Sequence, residues 1–393
     1  MCKAVRRSLC GVALNDRSEA AMLERFEVDN FMGFSELLEW DLTAHNYNFN
    51  QNLVYNGVVN KAIVYGKNGV GKSALGMALF DITTHLTDNH KKTVKIYRNL
   101  HHPDNPVAFQ YQFKFGNDRV VYEYLKANQS TLLWELLEVN RERLIEYFHF
   151  DELADRNFVH PSLKGTLNIE PTEGTLSVLK YIYRNTPVNP ESPLTKLMQF
   201  CNNMLWYRSL SDGNSFMGFT PSFEDEKPTD IIHREGKLAE FEEFLRSNDV
   251  NYQLGFEEEN DKYVLYAYFN DGKNKAPFTA LASTGTKMLL LYYAWSLQAY
   301  PKLSLLFIDE FDAFLHYEAA ERLVKLLNNA EPRFQSILTT HNTYLMQNRL
   351  TRPDCCFLMS NNRITNLRSA TDKEIREAHN LEKMYINGAF VEP

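Results

Sequence analysis

The amino-acid sequence predicts an α/β fold built around a P-loop, with an antiparallel β lobe beside it and a helical subdomain inserted between its two halves. Three observations carry this. A short apolar run, Ala62-Ile-Val-Tyr65, breaks at a glycine-rich stretch, Gly66-Lys-Asn-Gly-Val-Gly-Lys-Ser73, and continues into an apolar helical segment, Ser73 to Phe80. A second apolar run, Leu305-Leu-Phe-Ile308, ends in two acids, Asp309 and Glu310, and is followed by a helix and a further strand closing at His341. Between them, Val107 to Leu125 alternates apolar and polar residues around a Gly116-Asn-Asp118 turn, the pattern of antiparallel strands with one buried face.

Composition narrows the function classes. The chain has 393 residues, of which 44% are apolar, enough for a substantial core, and its net charge of −8 argues against a body that coats nucleic acid by charge alone. No run approaches the ~18 consecutive apolar residues of a membrane span, so a soluble, cytoplasmic protein is expected. Cys2, Cys10, Cys201, Cys355 and Cys356 show no metal-ligand spacing and read as reduced thiols, with Cys355-Cys356 inside a strand-like run.

In chain order, residues 1–21 read as a flexible arm, basic at its start, or as an extension upstream of a natural start at Met22. Residues 22–175 hold a first strand within Leu23 to Phe34, the glycine-rich loop and the β lobe. The period turns helical in 176–250, with Leu176 to Tyr183 and Leu194 to Phe200 separated by proline-bearing loops, and Trp206 is read into an aromatic-rich helix of core or interface. Residues 251–393 return to strand at Tyr263 to Phe269, then to strand, helix and strand from Lys302 to His341. There is no internal repeat and no sustained heptad, so the two α/β parts must close on one another across the insertion.

The motifs specify chemistry. Gly66 to Ser73 fits G-x-x-x-x-G-K-[ST] after a strand and before a helix, where backbone N–H groups and the helix end cradle phosphates. Gly66, Lys67, Asn68, Gly69, Val70 and Gly71 form this cradle, Lys72 reaches the β- and γ-phosphates, and Ser73 holds Mg²⁺. Asp309 is expected to share the Mg²⁺, and Glu310 to orient and deprotonate the attacking water. His341 reads as a γ-phosphate sensor, since a neutral imidazole can donate or accept near neutral pH. Upstream of Asp309, Ala282-Ser-Thr-Gly-Thr-Lys287 opens a helix; Ser283, Thr284 and Gly285 offer hydroxyl and N–H donors suited to a γ-phosphate from another subunit.

In this order and spacing the four motifs resemble the ABC-type ATPases of the Rad50, SMC and RecF branch. Within that branch the chain looks like the compact AAA-type family of bacterial antiphage defence. Ser283-Thr-Gly-Thr286, Ile308-Asp-Glu-Phe-Asp312, Thr339-Thr-His-Asn-Thr343 and Leu381-Glu-Lys-Met-Tyr-Ile-Asn-Gly388 carry this likeness. Thr286 and Lys287 depart from the transporter signature, which takes glycine and glutamine there. The resemblance implies an ATPase using ATP and Mg²⁺, a homo-oligomer of at least two heads paired head to tail, a phage-encoded trigger and, as in PARIS-like defence systems, a separate effector nuclease of Toprim type. The stretch after His341 is too short for a Toprim domain, and the interval before Gly285 lacks the coiled coil of Rad50 and SMC proteins. The alternative is a RecF-like repair ATPase binding duplex DNA directly; a transporter motor is disfavoured by the altered signature.

Two further features invite a role. The basic run His90 to His102 is either a solvated face or a surface for an acidic trigger protein or DNA. Gln110 and Gln112 lie roughly where ABC proteins keep a metal-contacting glutamine, and equally suit the outer face of a strand.

Overall fold

Strand pattern begins at β1 (Ala21–Asp29), whose Phe26 and Val28 turn inward while Arg25 and Glu27 stay half exposed. In this computed structural model the described residues are 21–164, 167, 174–187, 189–210, 213–220, 226–330, 334–360 and 362–393, so the expected arm falls almost wholly outside them. After β1 come β2 (Leu38–Asp41), a two-stranded hairpin of β3 (Val54–Tyr55) and β4 (Val58–Val59), and β5 (Lys61–Tyr65), buried at every position. The P-loop helix (Lys72–Leu79) and a short helix (Asp81–Leu86) follow. The β lobe is larger than the two runs expected. It contains β6 (Val107–Phe115), β7 (Asp118–Asn128), β8 (Thr131–Val139), β9 (Glu142–Phe148) and β10 (Phe158–Val159). With β1 and β2 they make one antiparallel sheet in the order β10-β9-β8-β7-β6-β1-β2. Phe109, Tyr111, Phe113 and Phe115 of β6 face the core; Gln110 and Gln112 lie half exposed on the other face.

The span 176–250 needs correction. It carries helices at Val178–Asn185, Pro193–Asn202, Pro228–Arg234 and Leu238–Arg246, but between them run β11 (Met204–Leu210) and β12 (Gly213–Gly218). Trp206 is therefore in a strand, not a helix, although fully buried as core. Met204 to Tyr207 are consecutively buried, and a strand covered on both faces shows no alternation, so periodicity cannot separate it from a buried helix.

A small sheet follows, β13 (Gln253–Glu259), β14 (Lys262–Phe269) and β15 (Asn274–Pro277), then the long helix Thr284–Gln298, β16 (Leu305–Asp309), a helix at Tyr317–Asn328, β17 (Gln335–Thr340), β18 (Cys356–Ser360), β19 (Arg363–Asn366) and a last helix, Leu381–Ile386. Cys355 lies in a short 3₁₀ turn just before β18, and both it and Cys356 are buried free thiols.

The second large sheet runs β12-β11-β16-β17-β5-β18-β19. Its five central strands are parallel and its two edges antiparallel. Leu305 and Phe307 enter the core beneath the antiparallel sheet, whereas Leu306 and Ile308 enter a second core shared with the Thr284–Gln298 helix. The two α/β parts do close across the intervening chain, as β16 and β17 pair on either side with β11 and β5. This α/β P-loop architecture brings the carboxyl ends of the parallel strands to one edge, the usual place for a ligand in such sheets.

Candidate functional site

At that edge β5 gives way to the P-loop. Gly69 and Gly71 both take positive φ (82° and 104°), which turns consecutive backbone N–H groups to one side. Lys67, Asn68 and Gly69 are exposed, leaving the crest of the loop open to a phosphate. Lys72 is buried, with Nζ donating to the carbonyl oxygens of Gly66 (2.7 Å) and Lys67 (3.0 Å) across its own loop. Burial lowers the Lys72 pKa from the usual lysine range, while Glu310 and Asp309 pull it back up. A phosphate would replace two neutral carbonyls with the charged partner that this ammonium lacks.

The acids stand opposite. Asp309 is fully buried at the end of β16 and accepts hydrogen bonds from Ser73 Oγ on Oδ2 (2.7 Å) and from Thr339 Oγ1 on Oδ1 (2.8 Å). Thr339 also accepts from the Glu310 backbone N–H (2.8 Å), so one hydroxyl on β17 fixes both acids. Glu310 sits just beyond the strand at φ 49°, a left-handed conformation uncommon for a residue with a side chain. Its carboxylate is held by Arg208, whose Nη2 lies 2.7 Å from Glu310 Oε2 and whose Nε lies 3.5 Å from Asp309 Oδ2. Arg208 is directly paired with Asp309 in the parallel register of β11 and β16.

The hydroxyl–carboxylate pair of Ser73 and Asp309 suits a divalent cation of the P-loop kind. Among the described residues no group of three or more His, Cys, Asp or Glu gathers, so such an ion would take its remaining ligands from phosphate oxygens and water. The buried Arg208 Nε has no hydrogen-bond partner among the described residues, which leaves the polar shell they form around the acids incomplete.

The other expected residues stand around this centre. His341 lies one residue past β17 and is exposed; its neighbour Thr340 donates from Oγ1 to Asp312 Oδ2 (2.9 Å), a carboxyl whose pKa burial raises. Ser283 caps the long helix, accepting from Thr286 N (3.2 Å), with Thr286 Oγ1 2.9 Å from its hydroxyl. The Ser283 and Thr284 side chains are otherwise exposed. A Cβ added at Gly285 would lie 2.6 Å from the Phe314 carbonyl oxygen, so the signature turn packs tightly on the loop leaving the two acids.

Thus Lys72, Ser73, Asp309 and Glu310 meet, His341 lies at the adjacent strand end, and Ser283 to Gly285 form a separate turn on the same loop. Arg208 and Thr339 escaped sequence reasoning. Reading Met204 to Leu210 as a strand would have put Arg208 at a carboxyl end; for Thr339 the signal is its place near the end of the short buried strand Gln335–Thr340, two residues before His341.

Similarity to solved structures is remote. The SMC head domain from Thermotoga maritima matches at 13% identity over 88% of this chain and 98% of its own, with a TM-score of 0.39. An Smc head domain with an extended coiled coil, bound to the C-terminal domain of ScpA derived from Pyrococcus furiosus, matches at 13% identity over 89% of this chain and 98% of its own, TM-score 0.41. No curated protein sequence matches the chain. No helix of the described residues is long and apolar enough to cross a membrane. The fold is an α/β P-loop fold, seen in the parallel sheet, its antiparallel lobe and the loop between β5 and the P-loop helix. The sequence profile described as "AAA domain, putative AbiEii toxin, Type IV TA system" matches residues 61–347, well over half of the chain, and the protein belongs to this AAA-domain family.

Proposed function

We propose that the protein binds and hydrolyses ATP at this edge, and that it serves as the sensor and scaffold subunit of an antiphage defence system, controlling a separate Toprim-type nuclease. In its motifs the chain resembles AriA, the ATPase subunit of the PARIS system. The observation that carries the ATPase reading is the 2.7 Å hydrogen bond from Ser73 to Asp309, which joins the phosphate loop to the acidic strand across the sheet.

In this reading the loop residues Gly66 to Gly71 wrap the phosphates and Lys72 leaves its carbonyl partners for the β- and γ-oxygens. Ser73 and Asp309 hold the cation, which supplies charge neutralisation at the phosphates when bound. Glu310 accepts the proton of the attacking water, and His341, at the next strand end, donates to the γ-phosphate. Ser283, Thr284 and Gly285 serve the site of a second copy. Support for pairing comes from their exposure and from Leu281 and Phe314, large apolar side chains left open beside them, with Tyr317 and Tyr344 exposed further on. Tyr317 and Tyr344 lie with ring centroids 6.3 Å apart. Defence, the trigger and the nuclease rest on family likeness alone.

The test is Glu310→Gln. ATP binding should persist, turnover should fall by about a hundredfold or more, the loss expected for removing a general base, and ATP-bound oligomers should accumulate in sedimentation. Undiminished hydrolysis would refute the assignment. Duplex DNA binding that falls steeply with salt would instead favour the repair reading.

A further inference from the structure

Among the described residues, Arg208 is the one basic side chain in ionic contact with both acids at the end of β16. Its position follows from strand register: β11 runs parallel to β16 with Arg208 opposite Asp309, so the guanidinium leaves the sheet on the same edge as the two carboxylates. Nη2 lies 2.7 Å from Glu310 Oε2 in an ion pair, and Nε approaches Asp309 Oδ2 at 3.5 Å, beyond a good hydrogen bond. Nε is buried and without a hydrogen-bond partner among the described residues. Asp309 Oδ2 already accepts from Ser73, and Oδ1 from Thr339. The guanidinium is thus held by Glu310 and lies against the pair of oxygens that a cation would claim. Other basic groups face the same acids less directly. Lys72 is tied to Gly66 and Lys67 carbonyls, and Lys92, from the basic run, has Nζ 4.5 Å from the centre of the Trp206 ring.

We propose that Arg208 is a positioning residue that latches the site in the absence of nucleotide. Its guanidinium stands in for the charge of a divalent cation and holds the Glu310 carboxylate beside β11. Were Ser73 and Asp309 to hold a cation brought on the nucleotide's phosphates, Arg208 would be displaced and Glu310 freed for water. Only a cation carried by nucleotide has the added grip of Lys72 and the loop, so the latch keeps the acids from binding a free cation and makes their release depend on nucleotide. Arginine suits this because its planar fork spans two carboxylates, whereas a lysine ammonium reaches one. The left-handed backbone of Glu310 fits a residue held in a conformation that a bound ligand relieves.

This inference rests on the ATP-site reading, and the experiment separates the two. Binding of Mn²⁺ alone to the nucleotide-free full chain is measured by electron paramagnetic resonance for the wild type, Arg208→Gln and Arg208→Lys. Arg208→Gln should bind Mn²⁺ roughly tenfold more tightly, the scale of one nearby charge in a partly exposed site, with Arg208→Lys between it and the wild type. Adding Asp309→Asn to Arg208→Gln should abolish the gain, which a general loosening of the fold would not do. In turnover, a latch predicts a lower KM for Mg-ATP in Arg208→Gln; a fall in kcat with KM held would instead put the guanidinium on the transferred phosphate. Equal Mn²⁺ affinity in the wild type and Arg208→Gln would overturn the latch. Failure of the wild type to bind a fluorescent ATP analogue would overturn the site reading itself, whatever Mn²⁺ does.

Discussion

Beneath the antiparallel sheet, Asp81 accepts from Lys126 Nζ (2.7 Å) and from the hydroxyls of Tyr97 (2.9 Å) and Tyr124 (3.1 Å). Nearby, Glu135 accepts from Tyr122 (2.9 Å), Ser177 Oγ (2.7 Å) and the Val178 N–H (2.6 Å), and pairs with His149 Nε2 (3.0 Å). Burial pushes the Glu135 pKa up, but these hydrogen bonds outweigh it and the carboxyl ends below its usual range. At the edge of the parallel sheet the charges are partnered otherwise. Among the described residues, Lys72 rests on carbonyls of its own loop, Arg208 Nε has no hydrogen-bond partner, and Glu310 is ion-paired with a single guanidinium. Both regions remove charge from water; in the first, both carboxylates find their partners from within. A structural polar cluster is closed, whereas a binding cluster keeps places that a ligand fills.

The contrast should be visible in stability. Lys126→Met leaves Asp81 buried against two tyrosines with no counter-charge and should cost about 3–5 kcal/mol in denaturant unfolding. Lys72→Ala should cost no more than about 1 kcal/mol, since it removes a desolvated ammonium satisfied only by carbonyls, yet it should abolish ATP binding. If Lys72→Ala destabilised the protein as much as Lys126→Met, the two clusters would not differ in kind.

A smaller effect is expected at Thr339. Thr339→Val keeps the shape of the side chain but leaves Asp309 Oδ1 and the Glu310 N–H without their shared partner. About 1–3 kcal/mol of stability should be lost, as for an unsatisfied buried polar group, together with a fall in ATP turnover measured by phosphate release. A variant as active as the wild type would show that Thr339 does not fix the acids.

The sequence made the P-loop and the acid strand legible because each depends on a short stretch of chain: a glycine pattern between strand and helix, or an apolar run ending in acids. What it hid depends on neighbours distant in sequence. Arg208 matters through its register with Asp309, and that register exists only once Met204 to Leu210 is known to be a central strand. The helical reading of that region failed because four successive buried residues carry no period. The Asp81 and Glu135 clusters were hidden for the same reason, since their partners come from strands and helices that only the tertiary fold brings together.

Lys61 tests the comparison at its margin. It is a buried cation whose hydrogen-bond partner is the Phe334 carbonyl (3.0 Å), with the Phe334 ring centre 4.3 Å from Nζ and, among the described residues, no carboxylate to complete it. Burial pulls its pKa down from 10.5 to about 7. The folded protein then binds fewer protons than the unfolded chain between those values, and stability rises with pH wherever the unfolded state binds more. The cost of charging Lys61 is complete below pH 7 and relieved progressively as pH climbs towards 10.5. Lys61→Met removes this titration, so the stability difference between the two proteins should drift in favour of the wild type as pH rises from 7 to 10. Denaturant midpoints at several pH values measure the drift. Parallel curves would mean that the carbonyl and the ring keep Lys61 charged as effectively as Asp81 keeps Lys126, and that a buried cation in this protein needs no carboxylate to be closed.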